Sequence, residues 1–255
     1  MILLKSPREL EHMRAAGKIL AGVKALLVRL VKPGLSTKDI DAEVEAFIVS
    51  KGATSAFKGY RGYPATVCTS INEEVVHGIP SPKRRLKEGD IIGLDLGCVV
   101  EGYYGDCAVT LPVGAVSSRV QELIDVTRES LDKAIVQCRV GNRIGDISHA
   151  VQMHCESHGF GVVRSFVGHG IGRALHEEPQ VPNFVTGYRG APLVEGMTIA
   201  IEPMITAGGP EVHLHDDGWT ISTDDGSLTA HFEHTVAITA DGPRVLTKPA
   251  SVLVP

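Results

Sequence analysis

GLSTKDIDAEVEAFIVSKG, residues 34–52, returns in outline as GNRIGDISHAVQMHCESHG, residues 141–159. One shift of 107 residues aligns Gly34 with Gly141, Asp39 with Asp146, Ile40 with Ile147, Val44 with Val151 and Gly52 with Gly159. Each copy reads as a helix. In the first, Ser36 stands three residues before Asp39, a capping spacing, and Ile40, Val44 and Phe47 make an apolar stripe that stops at Gly52. A longer helix precedes each copy. Leu10, Met13, Leu20, Val23, Leu27 and Leu30 keep the helical period between Pro7 and Val31, and Lys32-Pro33-Gly34 ends it. After Ser118 the same role falls to Val120, Leu123, Ile124, Leu131 and Ile135. A repeat of this kind points to a single domain, residues 1–255, made of two related halves, about 1–115 and 116–255, folded around one sheet.

Strand-like runs follow each helix pair: TVCTSI from Thr66, DIIGLDLGCVV from Asp90, YYGDCAVTL from Tyr103, MTIAIEPMI from Met197 and AHFEHTVAIT from Ala230. The expected class is α+β, with a largely antiparallel sheet and helices on one side. The composition, 43% hydrophobic and 22% charged over 255 residues, is that of a globular chain with a substantial core. The longest apolar run, from Ile19, is broken by Lys24 and Arg29, so no membrane helix is expected. MILLKSPRELEHM has no cleavable apolar segment, and five scattered cysteines lack CxxC spacing. Both point to a cytoplasmic protein with reduced thiols. A net charge of −5 argues against a nucleic-acid substrate. The basic cluster Lys83-Arg84-Arg85-Leu86-Lys87 reads as a solvated turn, or more sharply as a dock for an anionic partner.

The chemistry concentrates in IIGLDLGCVVEGYYGDCAVTL, residues 91–111, which reads as two strands joined near Val100-Glu101-Gly102. A turn centred between residues 100 and 101 sets Asp95 directly opposite Asp106, and a bulge at Gly102 moves them one step diagonally. Two carboxylates facing each other among apolar residues repel unless they share a proton or bind a cation. Glu202 in AIEPM and Glu233 in AHFEHTVAI lie in further strand-like runs, where glutamate is rare unless paired or coordinating. The fifth donor is His169, in FVGHGIGRALHEEP, residues 166–179. Two Asp, two Glu and one His form a hard, oxygen-rich set, better suited to two neighbouring divalent ions than to one structural zinc.

With these residues in view, the chain resembles the type I methionine aminopeptidases in their short bacterial form. The resemblance is carried by GYRGYPATVCTSINEEVVHGIP, DLGCVVEGYYGDCAVT, FVGHGIGRALHEEP, TIAIEPM and FEHTVAIT, and spans nearly the whole chain. It implies the pita-bread fold, whose pseudo-twofold halves meet at the metals. Asp95, Asp106, His169, Glu202 and Glu233 would bind two divalent ions (cobalt, manganese, iron, nickel or zinc), with Asp106 and Glu233 bridging. The reaction implied is removal of the initiator methionine from a nascent polypeptide when the second residue is small. His77, His176 and Glu202 would carry the chemistry: Glu202 as proton shuttle, His176 as donor to the developing oxyanion, His77 against the scissile peptide. Tyr60, Tyr63, Cys68 and Trp219 would line the methionine pocket, and Phe57, Arg61 and Leu175 stand where other members can carry cysteine, histidine and phenylalanine. A monomer that meets its substrate at the ribosome fits this reading.

Other histidines compete as metal sites. His154 and His158 are spaced i,i+4 on a helix with no third ligand evident, and His213-Leu214-His215-Asp216-Asp217 reads as a polar hairpin. His231 shares a strand face with Glu233 and so is placed to support it. Two other functions share the fold implied by the resemblance. A proline-directed peptidase has similar ligands but usually an added amino-terminal domain, and a non-catalytic binding protein would have lost ligands.

Overall fold

The computed structural model describes residues 1–248. The first half begins with two helices, α1 (Pro7–Leu30) and α2 (Thr37–Ser50). The strands β1 (Thr54–Ser55), β2 (Val67–Ile71), β3 (Glu74–Val76), β4 (Ile91–Val100) and β5 (Tyr103–Pro112) follow. The second half begins with α3 (Ser118–Val136) and α4 (Ile144–Ser157). Its strands are β6 (Gly161–Val162), β7 (Gly168–Gly170), β8 (Glu177–Val181), β9 (Thr198–Ile201) and β10 (Met204–Thr206), then β11 (Val212–Leu214), β12 (Ile221–Thr223), β13 (Thr229–His231), β14 (His234–Thr239) and β15 (Gly242–Val245). All strand pairings among the described residues are antiparallel, but they fall into four ladders instead of one continuous sheet.

The helix starts follow from capping chemistry. The Ser36 side chain accepts from Asp39 N, and the Asp39 carboxylate takes Ser36 N in return. In the second copy Asp146 accepts from Arg143 N at 2.7 Å. The repeat extends into the backbone. Gly34 and Gly141 both have left-handed φ, 88° and 97°, as do Gly52 and Gly159, 73° and 74°. Gly34 N donates to Leu86 O and Gly141 N to Leu193 O; Leu86 N donates to Leu35 O and Leu193 N to Asn142 O. Isolated bridges join Ser36 to Arg85 and Arg143 to Pro192. Every one of these pairs is separated by the same 107 residues, and the same shift carries Asp95 onto Glu202.

Strand parity then aims the two halves. In β4, Ile92, Leu94, Leu96 and Cys98 pack with Leu20, Val23, Leu27, Ile40 and Val44 of α1 and α2, which leaves Asp95 on the other face. In β9, Ile199 and Ile201 join Leu131, Ile147 and Val151 of α3 and α4, which turns the next residue, Glu202, away from the helices. Side-by-side backbone closes the junction. Glu233 N donates to Ala108 O at 3.1 Å, His231 N donates to Thr110 Oγ1 at 2.8 Å, and Thr110 Oγ1 donates to His231 O at 2.9 Å.

Three expectations need correction. The β4–β5 turn is Glu101-Gly102, both with positive φ (50° and 78°), the backbone of a two-residue type I′ hairpin turn. Val100 therefore faces Tyr103, Asp95 faces Ala108 and Asp106 faces Gly97. The carboxylates share a face diagonally, without a bulge. Nor do Glu202 and Glu233 lie within strands. Glu202 occupies the break between β9 and β10, where Pro203 has no N–H for a ladder, and Glu233 the break between β13 and β14. His231, finally, turns to Glu202: its Nε2 lies 3.9 Å from Glu202 Oε2.

Candidate metal centre

All five expected ligands line one cavity of about 160 Å³, together with Tyr60, Tyr63, Cys68, His77, His176 and Trp219. The hairpin β4–β5 brings Asp95 and Asp106, β7 brings His169, and the two strand breaks bring Glu202 and Glu233. Asp106, His169 and Glu233 are buried and each offers one ligand atom within 4.8 Å of the other two. His169 Nε2 also lies 3.6 Å from Glu202 Oε1 and 3.9 Å from Asp106 Oδ2. The other ring nitrogen, Nδ1, donates to Gly170 O at 2.8 Å, which leaves Nε2 as a bare lone pair directed at the carboxylates.

The electrostatics are those of a cluster assembled for a cation. Burial first, then the neighbouring carboxylates, pushes Asp106, Glu202 and Glu233 well above the usual carboxylate range. Burial pushes Asp95 up to about 7. It holds His169 down at about 4, so its imidazole is neutral. Asp95 Oδ1, Asp106 Oδ1 and Glu233 Oε1 are buried with no hydrogen-bond partner, a costly arrangement for a carboxylate oxygen. These orphaned oxygens, the neutral imidazole and the hard donor set fit a divalent ion. Among the described residues no other His, Cys, Asp or Glu trio converges in this way.

Aromatic rings also line the cavity. Trp219 packs edge-on against Tyr63 with ring centres 5.0 Å apart, and His77 packs edge-on against Phe166 and Trp219. His77 takes a left-handed φ of 62°, an unusual backbone for a residue with a side chain, and burial holds its pKa at about 4. The His176 ring lies 4.2 Å from that of His169, and its Nδ1 is 2.9 Å from the Tyr60 hydroxyl. Phe57, Arg61 and Leu175 complete the lining.

Two supports escaped the sequence reading. Thr235 Oγ1 donates to Asp106 O at 2.8 Å and accepts from Asp106 N at 3.0 Å, and Asn183 Nδ2 donates to Glu202 O at 2.9 Å. Thr235 stood two residues from Glu233 on the same face, a period-two signal, whereas nothing local marked Asn183. The competing histidines stay apart from the centre. His154 Nε2 approaches Glu129 at 3.3 Å, a partner supplied by α3 that sequence spacing could not show. His213 pairs with Asp224 at 2.9 Å on the β11–β12 hairpin.

A buried carboxylate–imidazole cluster opening into a cavity with hydrogen-bonding walls defines a metal-dependent hydrolase. The chain belongs to metallopeptidase family M24, whose profile matches residues 11–240. It is 50% identical to a methionine aminopeptidase of Clostridium acetobutylicum, over 97% of this chain and 99% of that one. It is 48% identical to methionine aminopeptidase 1 of Bacillus subtilis, over 97% and 100%. The crystal structure of methionine aminopeptidase from Thermotoga maritima superposes with a TM-score of 0.95 at 48% identity, covering 97% of this chain and 100% of the other. A prolidase from Pyrococcus furiosus shares the fold, with a TM-score of 0.77 at 23% identity over 66% of its own length. The fold is thus the pita-bread arrangement that the resemblance implied.

Proposed function

We propose that this chain is an aminopeptidase that removes the N-terminal methionine from new polypeptides whose second residue is small, using two divalent ions. The observation that carries this reading is one cavity lined both by the carboxylate–imidazole cluster and by Tyr63, Cys68, His77 and Trp219. Asp95, Asp106, His169, Glu202 and Glu233 would hold the ions. Cobalt, manganese, iron, nickel and zinc all suit these donors. When bound, such ions acidify water and polarise a carbonyl.

The chain's own groups supply the rest. Glu202, buried beside its fellow acids, accepts the proton of the attacking water and passes it to the leaving amine. With the Tyr60 hydroxyl as the donor to His176 Nδ1, 2.9 Å away, the neutral ring carries its proton on Nε2 as a donor to the oxyanion. His77, kept neutral by burial, contacts the scissile peptide. Tyr60, Tyr63, Cys68 and Trp219 enclose an unbranched thioether, and crowding at the cavity mouth restricts the second residue.

The proposal extends to a single catalytic domain with halves of about 1–115 and 116–255, acting as a monomer in the cytoplasm. Five free, buried cysteines agree with a reducing compartment. No helix among the described residues is long and apolar enough to cross a membrane. The acidic net charge of −5 disfavours a nucleic-acid substrate, and the exposed basic turn with Lys83 and Lys87 offers a contact to the ribosome.

The test assays metal-stripped protein on Met-Ala-Ser, Met-Leu-Ser and Ala-Pro-Ser, with and without manganese or cobalt. The proposal expects free methionine from the first peptide alone, and only with metal. Cleavage of the proline peptide alone would reassign the specificity, and cleavage of Met-Leu-Ser at an equal rate would remove the small-residue rule.

A further inference from the structure

Outside the cavity wall lies a buried ion pair that the proposed reaction does not use. Lys5 Nζ meets Glu177 Oε2 with side chains only 4% and 6% exposed. Glu177 directly follows His176. We propose that Lys5 is a positioning residue for His176: locked against Glu177, it holds the 172–177 turn in the conformation that presents the imidazole to the substrate. The inference rests on the role proposed above for His176.

Glu177 opens β8 opposite Gly170, Gly172 N donates to Ala174 O at 3.1 Å, and Arg173 reaches Glu9 Oε1 at 3.2 Å. Glu177 Oε1 accepts from Arg173 N at 2.8 Å and from Ala174 N at 3.2 Å, so one carboxylate closes the loop on itself. Gly172 O is held by Tyr104 N at 2.8 Å. Between these points His176 is exposed, and its side chain is held by the Tyr60 hydroxyl, by stacking on the Tyr60 ring and by the tilted ring of His169. The imidazole thus projects from a turn whose backbone the Glu177 carboxylate ties together from within.

Lys5 is built into its place. Its N–H donates to Gly196 O at 2.7 Å and its ammonium also donates to Leu3 O at 2.9 Å. A Cβ on Gly172 would meet Lys5 Cε at 2.2 Å, and one on Gly196 would meet Lys5 O at 3.0 Å. Two glycines thus leave room for one lysine, and Gly172 lacks a side chain because Lys5 lies across it. Without the ammonium, Glu177 would be a buried, unpaired carboxylate. It would swing to water or take up a proton, and either change loosens its grip on Arg173 N and Ala174 N.

The test is a double-mutant cycle on Met-Ala-Ser with Lys5→Met, His176→Ala and the pair, plus Lys5→Arg, each with metal content measured. His176→Ala should lower kcat by ~10²-fold and Lys5→Met by ~10-fold or more, with KM moving less than ~3-fold and metal content unchanged. The double variant should be no slower than His176→Ala alone, because Lys5 acts through His176. Lys5→Arg should recover most of the rate, and Lys58→Met, which breaks an exposed pair with Glu45, should leave it unchanged. Losses that multiply in the double variant, a Lys5→Met rate equal to wild type, or loss of metal in Lys5→Met would each overturn the proposal. Should Lys5→Met fail to fold, Glu177→Gln, which keeps the side chain's shape, enters the same cycle. Wild-type protein that releases another residue in place of methionine would refute the functional reading only, since the cycle can be run on the peptide it does cleave.

Discussion

Asp95 shows what a single side chain contributes and what it costs. Its carboxyl titrates near 7 in the metal-free cluster because burial disfavours the charge. The unfolded chain releases that proton near ~3.9. A carboxyl whose folded pKa is raised binds its proton more tightly when folded, so its stabilising effect is full below ~4 and is lost as pH rises through about 7. Metal-free Asp95→Asn should therefore gain on metal-free wild type, on the order of 3 kcal/mol, between pH 4 and 8. Loss of the Asp95 charge also relieves Asp106, Glu202 and Glu233, whose carboxyls it pushes up, and this adds to the gain in the same direction. Chemical denaturation at several pH values with a chelator checks this, and a difference independent of pH would contradict it. Glu233→Gln should bind metal at least ~10-fold more weakly by calorimetry and lose most activity. At this scale the sequence was most legible: apolar neighbours around Asp95 and the isolated acids Glu202 and Glu233 exposed the donors. Asn183 and Glu129 stayed hidden, since each meets its partner through tertiary folding and not through local spacing.

Elements carry the next level of information, and here strand ends were harder to read than helix ends. Caps are local chemistry, so Ser36 and Asp39 announced α2 correctly. Ser36→Ala should cost about 1 kcal/mol in chemical denaturation, with little change in kcat. The hairpin register was missed because apolar alternation fixes which face a strand buries, while the turn fixes its partner. A left-handed Glu101 in a two-residue turn shifts the centre by one residue. Asparagine tolerates that backbone better, so Glu101→Asn should stabilise the protein by about 0.5 kcal/mol, and an unchanged denaturation midpoint would count against the type I′ assignment. The runs MTIAIEPMI and AHFEHTVAIT looked continuous because their residues all favour strands. Pro203 was the legible signal of a break in the first, but the second bends to pair Glu233 with Ala108 across the junction, which no local pattern records.

For the molecule as a whole, the proposed donors come from both sides of the junction: Asp95 and Asp106 from the first half, His169, Glu202 and Glu233 from the second. Ion binding should accordingly clamp the halves together. Saturating manganese should raise the melting temperature by several degrees, and a fragment of residues 116–255 should bind no manganese at micromolar concentration by calorimetry. The repeat was legible at this scale because helix caps and helix-end glycines recur at fixed offsets; the four separate ladders were not, because strand pairing depends on distant sequence. The 107-residue correspondence of Asp95 with Glu202 also has a meaning in ancestry. Two identical half-chains facing each other across a dyad would present that one acidic position twice to the space between them. In the present chain that position supplies one carboxylate from each side of the cavity, Asp95 and Glu202. The correspondence is not exact: aspartate stands on one side and glutamate on the other, and the shift that pairs them sets Gly62 against His169, so the imidazole comes from one half alone.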